Sequence, residues 1–346
     1  MISLSLLLFL SGSHKSATVK QLPPLAITLG VTRTIFTPTL LSVAAAPTGD
    51  RFVASFDDNV VKVYNATNGE VLHTFLGHKQ PAYGLAWNDA GTEIASGDER
   101  AQIYVWNAKT GHAYIGYRTH IRGIEALSFD STGNMICSTG RDDLITVYNI
   151  HKTKPMKKIY GKGENFYGAH FSPVSNSILT ATLTPSSLLY SIQGQVARKF
   201  TEPGGQGALD AEFSPDGTRA VVAERDGSAM VFDVKNGTRI GTLKDGSNYL
   251  QTACFSPDGR AIAVSSYDGN VEIFNSKTFQ ILATLNGESS VGSPVRFTSD
   301  GKYLISSDSF DRLQITPITP SLGSKSSLSS TDKAKTTKRI RHYRKR

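Results

Sequence analysis

The phrase Phe-Ser-Pro-Asp-Gly ends at Gly217 and again at Gly259, and a variant, Phe-Thr-Ser-Asp-Gly, ends at Gly301. The step is 42 residues each time. Counting backwards by 42 reaches FSPVS at Phe171, FDSTG at Phe129, WNDAG at Trp87 and AAPTG at Ala45. A second register, Tyr64, Trp106, Tyr148, Tyr190, Phe232 and Phe274, keeps the same step and ends on a degenerate seventh member, Thr316. Seven units of one fixed period constrain the chain to a repeat architecture, so its 346 residues are not several unlike domains.

Each unit has a local period of two. In the fifth, ALDAEF, RAVVAE, SAMVFDV and TRIGTL read as four short strands, separated by turns at PDG, RDG and KNG. Asp-Gly and Asn-Gly supply the positive backbone angles that tight hairpins require. A single four-stranded unit cannot bury its own apolar face. Seven arranged radially cover one another and leave few open edges. The expected fold is all-β: a seven-bladed β-propeller with four antiparallel strands per blade.

The seventh unit runs into TPITPS after Thr316 and lacks an outer strand, whereas KQLPPLAITLG, from Lys20 to Gly30, resembles the outer strands GEVLHTFLG and TFQILATLNG. The N-terminal strand is therefore expected to close the last blade. The implied organisation is a leader over 1–19, the propeller over 20–318 and a disordered basic tail over 319–346.

With these residues in view, the units resemble WD repeats: Gly77-His78 precedes a strand, and Val105-Trp106-Asn107 stands where that family has its Trp-Asp pair. The resemblance implies a blade-stiffening network of His, Ser or Thr, Asp and Trp. His120, Ser138 (or Thr139), Asp142 and Tyr148 match it, with Tyr replacing Trp. Asp58, Asp226 and Asp268 keep the turn Asp in other blades, whereas Arg100 and Thr184 replace it. Surface-layer and lactonase-like propellers have similar periods and are alternative relatives.

A net charge of +8 suggests a polyanion partner until it is located. From Ser321 onward there are nine Lys or Arg and one Asp, so the remaining body is neutral. The tail ends in Lys338, Arg339, Arg341, Arg344, Lys345 and Arg346, a mobile charge cluster suited to weak contact with RNA or anionic lipid. Cys137 and Cys254 sit in apolar runs and read as buried thiols rather than a disulfide framework. Ile2 to Leu10 has the length of a signal-peptide core but no basic residues before it, so an exported and a cytoplasmic protein are equally expected. It is too short to span a bilayer.

Motifs for chemistry are few. His14, His73, His78, His112, His120, His151, His170 and His342 form no ligand-spaced cluster, so no metal and no cofactor are expected. His170, Glu212 and Arg296 share one innermost-strand register, with Asp210 two residues before Glu212, and they are scattered over blades four, five and seven. Lining a wet channel is their expected role; a channel enzyme is the alternative. The loops entering each inner strand, and those joining second to third strands, open on one face and carry unlike residues from blade to blade. Such positions are free for recognition, and Arg100, Arg122, Arg141, Arg225, Tyr249 and Tyr267 supply residue types enriched at binding hot spots. The expected function is a monomeric, noncatalytic scaffold that binds a protein partner on this face. A nucleic-acid-associated propeller is a further alternative.

Overall fold

The computed structural model describes residues 25–201, 204–244, 249–285, 294–308 and 310–322. Those residues form seven antiparallel sheets and no helix. The innermost strands are Leu40–Ala45, Ala82–Trp87, Ile124–Phe129, Phe166–Phe171, Ala208–Phe213, Leu250–Phe255 and Arg296–Phe297. In blades one to six, each inner strand is followed outward by three more in sequence order. Among the described residues, no helix is long and apolar enough to cross a membrane.

Blade seven closes as its missing outer strand implied. Leu25–Leu29 pairs antiparallel with Leu313–Leu322, from Leu25 opposite Leu322 to Leu29 opposite Ile318. Arg33 and Thr34 pair with the same strand one register step later. The step falls between Gly30 and Arg33, and the Gly30 N–H still donates in the first register, to the Pro317 carbonyl at 2.8 Å. A Cβ there would lie 2.9 Å from that of Pro317, so the close approach requires glycine. The strand continues to Leu322, four residues beyond the expected propeller boundary. Residues 1–24 and 323–346 lie outside the described residues, and with them the leader, Lys20 to Pro24 and the charged tail.

The 42-residue registers are packing positions. Tyr64, Trp106, Tyr148, Tyr190, Phe232 and Phe274 are all buried in the third strands. Phe75 of blade one stacks on Trp106 of blade two at 4.8 Å, and Tyr117 of blade two packs on Tyr148 of blade three at 4.2 Å. Phe200 of blade four meets Phe232 of blade five at 5.4 Å. Blades one, two and four thus lend an aromatic ring to the next blade, and truncating one such ring to Ala typically costs about 3–5 kcal/mol. The Asp-Gly turns hold Gly217, Gly259 and Gly301 at φ of 67°, 67° and 68°, the left-handed region that favours glycine. Cys137 and Cys254 are buried free thiols; burial raises both, Cys254 to about 12.

Candidate interaction face and central channel

Strand direction fixes the two faces. An inner strand runs from the face where the chain enters it, the second strand returns, the third runs away and the outer one returns again. Outer-to-inner and second-to-third connections therefore share one face, called here the loop face. The opposite face carries the remaining turns, many held by a side-chain cap. Asn65, Asn107 and Asn275 each accept hydrogen bonds through Oδ1 from the N–H groups two and three residues on, at 2.8–3.1 Å. Turn chemistry accounts for those positions.

On the loop face, side chains join across blades. Arg141 pairs with Glu125, which starts the same blade's inner strand, and lies 3.9 Å from Glu99 of blade two. Its guanidinium sits over the Tyr83 ring at 5.7 Å. Farther round, Arg225 lies over Tyr249 at 5.5 Å, and Tyr249 meets Tyr267 edge-on at 6.1 Å. Four of the six expected face residues thus form two Arg–Tyr groups. Arg100 and Arg122 are exposed, and among the described residues neither side chain makes an ion pair. Sequence reasoning missed a third group at the closure seam. Arg312, fixed by Asp308 at 2.8 Å and 2.5 Å, lies 4.8 Å from the rings of both Phe36 and Phe310, which are 85% and 72% exposed. Ile121, 88% exposed, belongs to the same face.

The blade network is present in two forms. In blade three, His120 Nδ1 donates to Asp142 at 2.8 Å and Nε2 accepts from Ser138 at 2.7 Å; the acceptor-only carboxylate sets this tautomer. Ser138, not Thr139, is the hydroxyl used. Tyr148 is buried, with its hydroxyl against that of Thr119. Burial works against ionising Asp142, but His120 and the Ile121 N–H outweigh it and hold this carboxyl below its ordinary value.

Blade two corrects the expectation that Arg100 leaves it without the acid. His78 Nδ1 donates to Asp98 at 3.0 Å, its Nε2 meets Ser96 at 2.7 Å, and Trp106 Nε1 donates to Ser96 at 3.1 Å. Asp98 stands two residues before the position searched. The counterpart of Asp98 in blade three is Gly140, where a Cβ would lie 2.8 Å from His120 and 3.0 Å from the Asp142 carboxylate. One acid thus reaches the histidine from either of two positions, and glycine at the first makes room for the second. Asp58, Asp226 and Asp268 cap their own turns.

The channel groups are also corrected, from scattered to joined. Asp210 lies 3.4 Å from His170 and 3.2 Å from Arg296, and Arg296 lies 3.7 Å from Glu212. They meet because all inner strands converge on the axis, so blades distant in sequence face each other there. Small Cys254 holds the matching position in blade six, between the strands of Glu212 and Arg296. Burial would raise Asp210, but Arg296 and His170 hold it at about 2. Burial prevails at Glu212 and raises it despite Arg296. These residues border a cavity of about 690 Å³ that runs from Tyr83, Glu125, Arg141, Tyr167 and Tyr267 at the loop face down to Trp87 and Asp89. Among the described residues, no group of three His, Cys, Asp or Glu side chains is placed to hold a metal ion.

A seven-bladed propeller, closed by its N-terminal strand and stiffened by His–Ser–Asp networks, is the class these features define. Residues 57–200 match the family described as eukaryotic translation initiation factor eIF2A, and residues 237–275 match the WD domain, G-beta repeat. Among curated proteins, a periodic tryptophan protein 2 homolog from Schizosaccharomyces pombe is 25% identical over 44% of this chain. A WD repeat-containing protein 91 homolog from Dictyostelium discoideum is 25% identical over 45%, and the human serine-threonine kinase receptor-associated protein 24% identical over 39%. The matched segments make up only 18%, 22% and 39% of those three proteins. The chain is thus a seven-bladed β-propeller that is similar to WD-repeat proteins.

Proposed function

We propose that the protein is a noncatalytic interaction scaffold that holds a protein partner on its loop face. The observation carrying this reading is the set of Arg–aromatic groups on that face. Asp58, Asp98, Asp226 and Asp268 cap its turns as Asn residues cap those of the far side, whereas the Arg141–Tyr83, Arg225–Tyr249–Tyr267 and Phe36–Arg312–Phe310 groups cap no turn. Arginine and aromatic rings in such groups are pre-ordered, and they are the residue types that dominate binding energy at interfaces. Arg100 and Arg122 extend the surface toward its rim. The name of the human relative describes association with a receptor kinase, which agrees with a binding role. The tail from Lys338 to Arg346 adds a salt-sensitive arm for RNA or anionic lipid, and the protein acts as a monomer. The test replaces Arg225, Tyr249 and Tyr267 with Ala. Partner capture should be lost with an unchanged denaturation midpoint; capture equal to the parent's would overturn the reading.

Convergence of His170, Asp210 and Glu212 on one cavity favours a second reading, a propeller hydrolase working in the channel. Against it, Arg296 pairs with both carboxylates, and Asp210 is held at about 2, far from the value a general base needs near neutrality. Hydrolysis of lactone or ester substrates that is abolished by Asp210→Asn would establish it.

A further inference from the structure

The cavity lining carries the carboxylates Asp89, Glu125, Asp210 and Glu212 against only two guanidiniums, Arg141 and Arg296. Both arginines are already engaged by acids, Arg141 with Glu125 and Glu99 and Arg296 with Asp210 and Glu212. Negative charge therefore exceeds positive along the axis of a body that is otherwise neutral. Low-dielectric walls concentrate that excess. Burial raises Asp89, Glu125 and Glu212, so these acids lack sufficient compensating charge.

Two further observations point to a guest. The Gln251 Oε1 atom, an acceptor that an N–H of a cation can satisfy, is buried without a hydrogen-bond partner among the described residues and borders the cavity. Trp87, whose side chain also borders the cavity, is 8% exposed. Tyr83, Tyr167 and Tyr267 border its loop-face end, where aromatic faces attract cations. Part of the remaining wall is small, formed by Ser42, Ala44, Gly84, Ala86, Ala126 and Ser128 of blades one to three.

We propose that the central channel binds an organic cation, an amine or guanidinium carried on an unbranched chain. An anion would meet the wrong sign of charge. A bare metal ion would find no triad of ligands among the described residues. Water can fill the space but cannot neutralise the acids. A cavity of about 690 Å³ takes a long chain easily, and the polar wall offers acceptors at several depths: Glu125 and Gln251 near the mouth, Asp210 and Glu212 within. The source is either a free polyamine or a Lys or Arg side chain of a partner segment entering past the tyrosines. A free polyamine needs no protein partner, so the site does not depend on the scaffold reading.

The experiment titrates the full chain with spermidine and, separately, with blocked Gly-Arg-Gly and Gly-Lys-Gly peptides. Calorimetry and tryptophan fluorescence are the readouts, the latter as the change on binding, since Trp87 borders the cavity and Trp106 does not. Saturable binding at one site is expected, weakening as salt rises, because the cation binds ionised acids. Asp210→Asn should weaken it about tenfold or more, the scale of one charge-assisted hydrogen bond. Because that substitution leaves Arg296 with one carboxylate fewer, Leu41→Lys is the second variant. Leu41 borders the cavity outside the blade cores, and a built-in ammonium there should abolish binding without lowering the denaturation midpoint. Binding of spermidine alone identifies a free polyamine as the guest; binding of a peptide alone identifies a partner's side chain. No binding of any probe, or binding indifferent to both substitutions, overturns the proposal.

Discussion

Replacing Asp98 by Ala removes the acceptor of three donors at once. His78 Nδ1 loses its partner at 3.0 Å, and the N–H groups of Arg100 and Gln102 lose theirs at 2.9 and 3.0 Å. Asp98 and His78 are both buried, so water does not readily replace the carboxylate. Each buried orphan costs about 1–3 kcal/mol, but the two turn N–H groups recover part of this by local rearrangement. The expected loss is about 2–4 kcal/mol. Arg100→Ala, two residues away, keeps its own backbone N–H on Asp98 and changes only an exposed side chain, worth roughly 0.5 kcal/mol or less. Asp142→Ala strips His120 and the Ile121 N–H and should fall between them, at about 1–3 kcal/mol. Urea denaturation of the three variants, compared by midpoint at equal slope, measures the order. An Asp98→Ala midpoint no lower than that of Arg100→Ala would refute the assignment of Asp98 to the blade-two network.

Removing residues 1–13 should leave the propeller intact, whereas removing 1–30 takes away the strand paired with Leu313–Leu322 and opens a sheet edge; size-exclusion chromatography should show a monomer for the first and association for the second. Asp142 and Asp210 have folded values below the ordinary carboxylate range, so their stabilisation is complete above about pH 4 and is lost as pH falls through those values. Asp210→Asn should therefore flatten the stability profile between roughly pH 4 and pH 2, as read from thermal melts across that range. Affinity for RNA or anionic vesicles should reside in Lys333 to Arg346 and drop steeply with salt; a variant ending at Leu322 that binds as tightly as the full chain would contradict this.

The periodicity made the architecture legible because the 42-residue registers are packing positions: the third strands of blades one to six each bury an aromatic ring, as Trp106 is buried under Phe75. Ring closure was legible for a related reason: a blade short of one strand needs another, and LAITL has the pattern of one. Two features of the sites were not. Asp98 escaped because the network is defined by reach to a histidine rather than by a fixed position, and an acid two residues earlier reaches it equally well. Its partners were nevertheless visible: Gly77-His78, Ser96 and Trp106 are all present in blade two. Convergence of His170, Asp210, Glu212 and Arg296 escaped because sequence separation says nothing about distance across an axis. Only the shared register of 170, 212, 254 and 296 hinted that these residues lie at one level. The Phe36–Arg312–Phe310 group joins segments at opposite ends of the propeller sequence, and neither segment signals it alone.

The claim that the loop face holds a partner is tested most directly by quantitative mass spectrometry of proteins that co-purify with three forms of the chain. The first is unchanged, the second carries Arg141→Ala, Arg225→Ala, Tyr249→Ala and Tyr267→Ala, and the third carries Lys109→Ala and Lys277→Ala on the opposite face. A partner recovered in near-equal molar amount with the first and third forms and lost from the second is the expected result. Recovery of that partner with the loop-face variant, or its loss from the opposite-face variant alone, would contradict the account.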